Sequence, residues 1–237
     1  MKVALVRVGI DSGSGGMQGP LFRDGSFEFI PIPDRSHTDE RTYGNTRGRH
    51  GRFLAEYFPA PRRAAVAGLS MHVDPDFVTF TYGDPTPPKA GLRFLEAGDL
   101  LVFYCGLTGW DHPSPPALHM AGYFEVVMAG RGPDFSDREL RRHFHANFHV
   151  RHADIFARQR ETLVLVKGGR GSRLFRRAAL ISATARDRAG QPLKILSPEM
   201  QRIFGDFGGK LSIQRSPTRW VAPEFSESAA AFVRTLA

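Results

Sequence analysis

Imidazole and carboxylate side chains cluster between His72 and Asp84. The segment HVDPDFVTFTYGD carries one histidine and three aspartates, interleaved with aromatic residues. Imidazole and carboxylate ligands together suit Fe(II), Mn or Zn. On an extended strand, His72, Asp74 and Asp76 would share one face, provided that Pro75 permits it. The spacing favours a metal site at His72 and Asp74. The alternative is that Asp74-Pro75 begins a turn and Asp84 closes one.

A further carboxylate, Asp11, follows a short apolar run, Val3 to Ile10, that predicts a buried strand. The loop after it reads SGSGG. Such glycine-rich loops expose backbone amides that bind anions, so Asp11 is a candidate catalytic group or metal ligand. The segment is not a P-loop, because no Lys-Ser/Thr pair follows. The alternative is a tight turn in which Asp11 accepts hydrogen bonds from loop amides.

A group of histidines lies in a segment that predicts a helix, Ser136 to Phe156, with Ser136 and Glu139 as a capping box. The group consists of His143, His145, His149 and His152. On a continuous helix, His145 and His149 would face the same way and could clamp a metal. The alternative is a solvated basic face, because arginines flank the histidines. His149 is the member that we predict as a metal ligand and catalytic residue.

Glycine and basic residues alternate in the segment KGGRGSRLFRR, which begins at Lys167 after a predicted strand, Leu163 to Lys167. Backbone amides, a hydroxyl group and guanidinium groups at a turn suit phosphate. We expect the turn to lead into a short helix. The predicted nucleic-acid-binding residues are Lys167, Arg170, Ser172, Arg173 and Arg176. The alternative is a hairpin turn with solubilising charges.

The chain is strongly basic, with a net charge of +8 and an isoelectric point near 10.1. This favours a polyanionic partner such as a nucleic acid, although a genome-wide preference for arginine would also raise the charge. The length of 237 residues suits a single domain, 1–237. The lone cysteine, Cys105, excludes an internal disulfide, and its apolar neighbours indicate a buried side chain. We see neither a signal peptide nor a membrane span, which predicts a soluble, cytoplasmic protein with no membrane partner.

The remaining patterns predict an α+β fold: a mixed β-sheet or a small barrel with helical insertions. Predicted strands include Phe27 to Ile32, Leu100 to Tyr104, Ala121 to Met128 and Ala179 to Thr184. A polar surface loop, Asp34 to Arg52, and a C-terminal helix, Glu224 to Leu236, complete the prediction. The strand-loop-strand segment Leu95 to Val127 resembles the core of PUA-like barrels, which include the ASCH and YTH-type domains. That resemblance implies a module that holds modified bases or nucleic-acid chains.

Longer motifs resemble the third type of nucleotide modification associated domain. They are RVGIDSGSGGMQGPLFRDGSFEFIPIPD, HVDPDFVTFTYGD, GDLLVFYCGL, NFHVRH and LVKGGRGSRLF. The resemblance extends from residue 2 to about residue 222. It implies an association with systems that modify or process bases in nucleic acids, but it implies no particular reaction. The matching polar positions are Asp11, His72, Asp74, Asp84, Asn147 and His149.

Two functional hypotheses follow. In the first, the protein is a metal-dependent enzyme, a nuclease or a base-modifying enzyme, that acts on DNA or RNA. Fe, Mn or Zn would be held by His72, Asp74, Asp11 and His149, and these residues would also be catalytic. In the second, it is a non-catalytic reader of modified bases with an aromatic cage. The candidate cage residues are Tyr82, Tyr104, Trp110 and Tyr123. A purely structural role in a modification complex is a third possibility.

Overall fold

A computed structural model of the protein describes residues 1–34, 40–214 and 217–236. The strands are β1 Val3–Arg7, β2 Gly19–Leu21, β3 Ile32–Asp34, β4 Ser70–His72, β5 Thr81–Asp84, β6 Leu100–Gly109, β7 Ala117–Arg131, β8 Val164–Gly168, β9 Arg173–Leu180, β10 Ser182–Arg186, β11 Pro192–Leu196 and β12 Arg219–Trp220. The α-helices are α1 Ala60–Ala67, α2 Asp137–Glu139, α3 Phe148–Arg151, α4 Ala153–Gln159, α5 Pro198–Phe204 and α6 Ser226–Thr235. Short 3-10 segments and a π-helical segment, Leu140–Phe144, connect some of them.

A mixed sheet of eight strands lies at the centre of the described structure, so the predicted α+β class is confirmed. The main strand order is β12-β1-β6-β7-β8-β5, with β2 also on β6 and β9 also on β7. Strands β1 and β2 run parallel to β6, and the other pairs of this sheet are antiparallel.

The sheet branches at β7, and the described strands do not close into a barrel. The first half of β7 pairs with β9, and its second half pairs with β8. Register shifts along β7 accompany this change of partner, as expected for bulges that bend a long strand. The expectation of a small PUA-like barrel is therefore wrong.

Strand β6 passes through the middle of the core. Leu100, Val102 and Tyr104 pack into one buried cluster, whereas Leu101 and Phe103 pack into a second cluster on the other face. This alternation follows from the two-residue period of a strand. Cys105 is buried in the first cluster, as predicted, and burial raises the pKa of its thiol to about 12. Cys105 is thus a core residue without thiolate character at neutral pH.

Several local predictions differ from the structure. The predicted strand Phe27 to Ile32 is mostly irregular, and only its last residue belongs to a strand, β3. Pro31 has no amide hydrogen to donate, which disfavours ladder pairing just before β3. The predicted short helix after Lys167 is instead strand β9, which pairs with β7. The predicted strand Ala179 to Thr184 is divided between β9 and β10.

The predicted helix Ser136 to Phe156 is divided into short segments. Its capping box is present, with the Ser136 hydroxyl accepting from the Glu139 amide, but the helix is interrupted before Asn147, whose backbone is extended. The C-terminal helix is confirmed as α6. Part of the predicted loop Asp34 to Arg52, residues 35–39, lies outside the described residues. Of the described helices, none has the length and apolar character needed to span a bilayer.

Candidate metal centre

His72 and Asp74 lie where β4 ends and the chain turns towards β5. His72 is the last residue of β4 and pairs with Ile32 of β3. The chain then leaves the strand through a cis Asp74-Pro75 bond. The amide of Gly83, in β5, donates to both Asp74 oxygens, at 3.1 Å for Oδ1 and 2.9 Å for Oδ2. These contacts hold the carboxylate against the edge of the main sheet.

Asp76 belongs to the turn and not to this cluster. Its carboxylate accepts from the Val78 amide at 2.8 Å and from the Thr79 hydroxyl at 2.7 Å. The prediction that His72, Asp74 and Asp76 share one strand face is therefore wrong. Because β4 ends at His72, a turn and not a continuous strand directs Asp74 inward.

His149 reaches the same place from the interrupted helix. Asn147 caps α3, with its side-chain oxygen accepting from the His149 amide at 3.0 Å. The His149 side chain is thereby directed inward and is only 5% exposed, whereas His145 is exposed. His145 lies in the turn before the break and His149 lies in α3, so the predicted clamp of His145 and His149 is wrong.

Nitrogen and oxygen atoms of His72, Asp74 and His149 converge. Asp74 Oδ2 lies 3.4 Å from His149 Nε2 and 3.9 Å from His72 Nε2. All three potential ligand atoms lie within 4.8 Å of one another. The His72 ring stacks on Phe148 with a centroid distance of 3.9 Å and an interplanar angle of 16°. Two imidazoles and one carboxylate make up the donor set of the facial triads that bind non-haem iron, and zinc accepts the same ligands.

The surroundings of the cluster orient its members. His149 Nδ1 lies 2.7 Å from Gln159 Oε1, so a neutral ring that donates there would direct the Nε2 lone pair at a metal ion, whereas without an ion a protonated Nε2 donates to Asp74. Burial disfavours the charged ring of His149, but its hydrogen bond to Asp74 and the charge of Asp74 outweigh burial and raise its pKa. The donor set, its spacing and this outer contact fit a divalent transition metal.

The cluster lines a cavity of about 610 Å³. Asp11 lines the same cavity, but its ligand atoms are not part of the convergent group. Asp11 Oδ2 pairs with Arg7 Nη2 at 3.1 Å, and Oδ1 accepts from the amides of Gly13 and Ser14. The loop therefore has the hydrogen-bonded turn that the sequence left open as an alternative.

Arg7 is a cavity residue that the sequence did not single out. Its Nη1 donates to the Gln214 carbonyl and its Nη2 pairs with Asp11. Its Nε is buried and has no hydrogen-bond partner among the described residues. Gln159 was also missed. Arg7 carries a local signal, since it ends an apolar strand four residues before Asp11, whereas Gln159 lies in a charged helix and carries none.

Two further positions implied by the family resemblance lie around the cluster. Asp84 lines the cavity and accepts from the Tyr82 hydroxyl at 3.1 Å and from the Thr86 amide at 2.7 Å. Asn147 is fully buried beside Gly83, and its Nδ2 has no hydrogen-bond partner among the described residues. Both positions therefore border the candidate centre without joining the ligand set.

The predicted phosphate-binding residues lie outside this cavity. Lys167 Nζ donates to the Thr79 carbonyl. The buried Ser172 hydroxyl accepts from the Glu125 amide at 3.0 Å, so both side chains make contacts within the fold. Arg170, Arg173 and Arg176 are exposed. None of the five predicted residues lines the cavity of the metal cluster.

The four proposed cage residues do not assemble. Tyr104 and Tyr123 are buried in the first core cluster, and Tyr82 is buried in the second. Trp110 packs against Tyr57 instead, with ring centroids 5.2 Å apart. The structure thus offers no aromatic cage at these positions.

The protein thus combines an α+β fold, a branched sheet and a partly buried cluster of two histidines and one aspartate. The chain belongs to the family of nucleotide modification associated domain 3, whose model matches residues 2–235. The family description associates it with nucleotide modification, in agreement with the resemblance in the sequence. No curated protein and no solved structure matches the chain.

Proposed function

We propose that the protein is a metal-dependent enzyme that acts on nucleotides or nucleic acids, with His72, Asp74 and His149 as the metal ligands. The convergence of these three side chains beside a cavity carries the proposal. The cavity volume of about 610 Å³ lies within the range of about 300–1,000 Å³ that is usual for small-molecule sites. The family's association with nucleotide modification supports the substrate class.

The ligand set suits Fe(II), Mn or Zn, and a bound ion would supply Lewis acidity towards a substrate oxygen. Gln159 keeps His149 oriented, and the Gly83 amide holds Asp74 in place. The open side of the cluster is at His72, whose side chain is 23% exposed. A substrate would therefore approach past His72.

Arg7 and Asp11 have a separate role in this proposal. Arg7 places a guanidinium group in the cavity, and one of its buried nitrogens has no partner among the described residues. Such a group suits the anionic part of a nucleotide. Asp11 fixes the orientation of Arg7 through the 3.1 Å ion pair. We therefore assign Asp11 to positioning or proton transfer beside the substrate and not to the metal.

Exposed arginines would support binding of a longer substrate. Arg170, Arg173 and Arg176 lie outside the cavity and contribute to the net charge of +8. Lys167 and Ser172 would support this segment through their contacts to Thr79 and Glu125. A reader function has less support, because its proposed cage residues lie in separate parts of the core.

The test is metal titration of the purified protein with Fe(II), Mn(II) and Zn(II), followed by mass analysis of incubated nucleotides and oligonucleotides. We expect one ion per chain in the wild type, and loss of the ion in His72→Ala and Asp74→Asn. Asp11→Asn is the matched control, because it removes a carboxylate from the same cavity and should retain the ion.

Three results would contradict the proposal or part of it. If the wild-type protein takes up none of the three ions, the proposal of a metal site is wrong. If His72→Ala binds metal as well as the wild type does, the assignment of the ligands is wrong. A metal-loaded protein that alters none of the nucleotides or oligonucleotides would overturn the enzymatic part.

A further inference from the structure

A second cavity, of about 360 Å³, shares no lining residue with the cavity of the metal cluster. Its wall combines aromatic, basic and polar side chains. The lining residues are Phe22, Arg23, Asp24, Ser26, His50 and Asp111. Nothing in the candidate metal centre uses these residues.

A tight turn after β2 forms one wall of this second cavity. The Phe22 amide donates to the Ser26 carbonyl at 2.8 Å, and the Gly25 amide donates to the Phe22 carbonyl at 2.9 Å. Gly25 has a φ of +85°, a conformation that glycine adopts without strain. The turn places the Phe22 ring against His50, with centroids 4.0 Å apart at 33°.

Hydrogen bonds hold the His50 ring in position. Its Nδ1 lies 3.3 Å from Glu28 Oε2, and its Nε2 lies 3.0 Å from Ser26 Oγ. These contacts resemble a serine–histidine–acid relay. However, the Ser26 hydroxyl donates to Asp24 Oδ1 at 2.6 Å, and the Ser26 amide binds the same oxygen. The hydroxyl is thus directed away from His50, and the contacts orient a ring instead of activating a nucleophile.

The aromatic surface extends beyond these two rings. Phe22 packs edge-on against Tyr57, with centroids 6.3 Å apart, and Tyr57 packs in the same way against Trp110. Trp110 remains 37% exposed, and its amide donates to the Leu21 carbonyl beside the turn. Because packing already fixes these rings, a flat aromatic ligand would stack without much loss of side-chain freedom.

Arginines and acidic residues both lie around the turn. Arg23 lines the cavity, and the Arg177 side chain lies 3.6 Å from the position that a Cβ atom would take on Gly25. Arg49 is anchored by its Nη1, which donates to the Phe175 carbonyl at 2.6 Å. Asp24 and Asp111 also line the cavity, and both stay charged, because hydrogen bonds from Ser26 lower the pKa of Asp24 and those from His112 and the Arg23 amide lower the pKa of Asp111.

We infer that this cavity binds a base of a single-stranded nucleic acid against the preformed pair of Phe22 and His50 rings, with Arg23 and Arg177 placed at the flanking phosphates. Stacking platforms combined with a basic surface are the general means of binding unpaired strands. The inference takes only the class of partner, nucleic acid, from the proposed function. It predicts that substrate strands are held at a place separate from the metal cluster.

The test measures binding of fluorescein-labelled oligo(dT) and oligo(rU) over a range of salt concentrations, with EDTA present so that the metal site plays no part. We expect Phe22→Leu, which keeps an apolar side chain but removes the ring, to weaken binding roughly tenfold. Phe22→Tyr should bind within about twofold of wild type, because the ring is retained. A preference for one oligonucleotide identifies DNA or RNA as the partner, and either preference agrees with the inference.

Charge removal gives a second test that leaves the core untouched. A plot of log binding constant against log salt has a negative slope, and each phosphate contact on a single strand contributes about 0.7 to its magnitude. The double variant Arg23→Ala/Arg177→Ala should therefore have a slope that is shallower by about 1.4. The matched control is Arg186→Ala/Arg188→Ala, which removes two exposed charges from the β10–β11 hairpin. Its slope should stay at the wild-type value.

Four results would overturn the inference. They are absence of oligonucleotide binding by the wild type, equal binding by Phe22→Leu and wild type, an equal loss of slope in the control pair, and equally tight binding of poly-glutamate. Thermal unfolding of each variant distinguishes loss of the binding site from loss of the fold. If Phe22→Leu does not fold, the arginine variants test the inference. Metal uptake in separate samples reports on the proposed function independently of these results.

Discussion

Gln159→Leu should weaken metal binding although Gln159 is not a ligand. The side-chain oxygen of Gln159 lies 2.7 Å from His149 Nδ1, and His149 is only 5% exposed at its side chain. Leucine has a similar size but accepts no hydrogen bond. The ring would then lose the contact that sets its orientation and its tautomer.

The role of Gln159 as an outer-shell partner gives the magnitude. Loss of an outer-shell partner of a histidine ligand lowers metal affinity by about 10- to 100-fold, which corresponds to about 1.4–2.7 kcal/mol. A buried donor left without its acceptor also costs about 1–3 kcal/mol of folding stability with or without metal, so the melting temperature of Gln159→Leu should be lower than that of the wild type. Gln159→Glu is the matched variant, because its carboxylate also accepts from Nδ1. We expect Gln159→Glu to bind metal at least as tightly as the wild type.

Competition with a chelator of known affinity measures the effect, with thermal unfolding of the metal-free proteins as the control for folding. The backbone carbonyl of Gln159 receives hydrogen bonds from Thr162 and Leu163, and these bonds do not depend on the side chain. A Gln159→Leu protein that folds normally and binds metal with wild-type affinity would refute the assignment of His149 as an oriented ligand.

Three further predictions follow from the packing. Gly83→Ala should weaken metal binding, since the new Cβ would lie 3.0 Å from atoms of Asn147 and His149; wild-type affinity would contradict this. Val102→Asp should be unfolded or insoluble, because a charge at this fully buried position costs several kcal/mol; circular dichroism and solubility measure it. Burial lowers the pKa of His119 to about 4, against about 6.5 when unfolded. Between about pH 4 and 6.5, His119 is protonated in the unfolded chain but not in the folded protein. The free energy of unfolding should therefore fall by up to about 3 kcal/mol as the pH drops from 6.5 to 4. Denaturant unfolding of His119→Gln across this range should show a smaller fall.

Local sequence patterns were sufficient to predict a strand or a helix where burial or a capping residue determines it within a few residues. The apolar run Leu100 to Tyr104 predicted a core strand, and every residue of it is buried. The Ser136 capping box and helix α6 were also predicted correctly. The family was recognisable because its motifs extend along nearly the whole chain.

The residue types of the candidate site could be predicted from the sequence, but their arrangement in space could not. His72 and Asp74 stand close together in the sequence, so their joint role was a reasonable prediction. His149 was one of several histidines, and only the break at Asn147 turns it inward while His145 stays exposed. Gln159 gave no signal, because folding across the break at Asn147 brings it to His149, whereas Arg7 stands only four residues before its partner Asp11.

Tertiary structure also decided how the strands associate. The residues after Lys167 carry turn and basic signals that are compatible with a helix, but pairing with β7 makes them strand β9. The bends in β7 give its two halves different partners, which branches the sheet where the sequence allowed a closed barrel. Periodicity reports which side chains are buried, because burial depends on residue type and spacing. The choice of partner depends on the free energy of all competing long-range pairings, which no short segment contains.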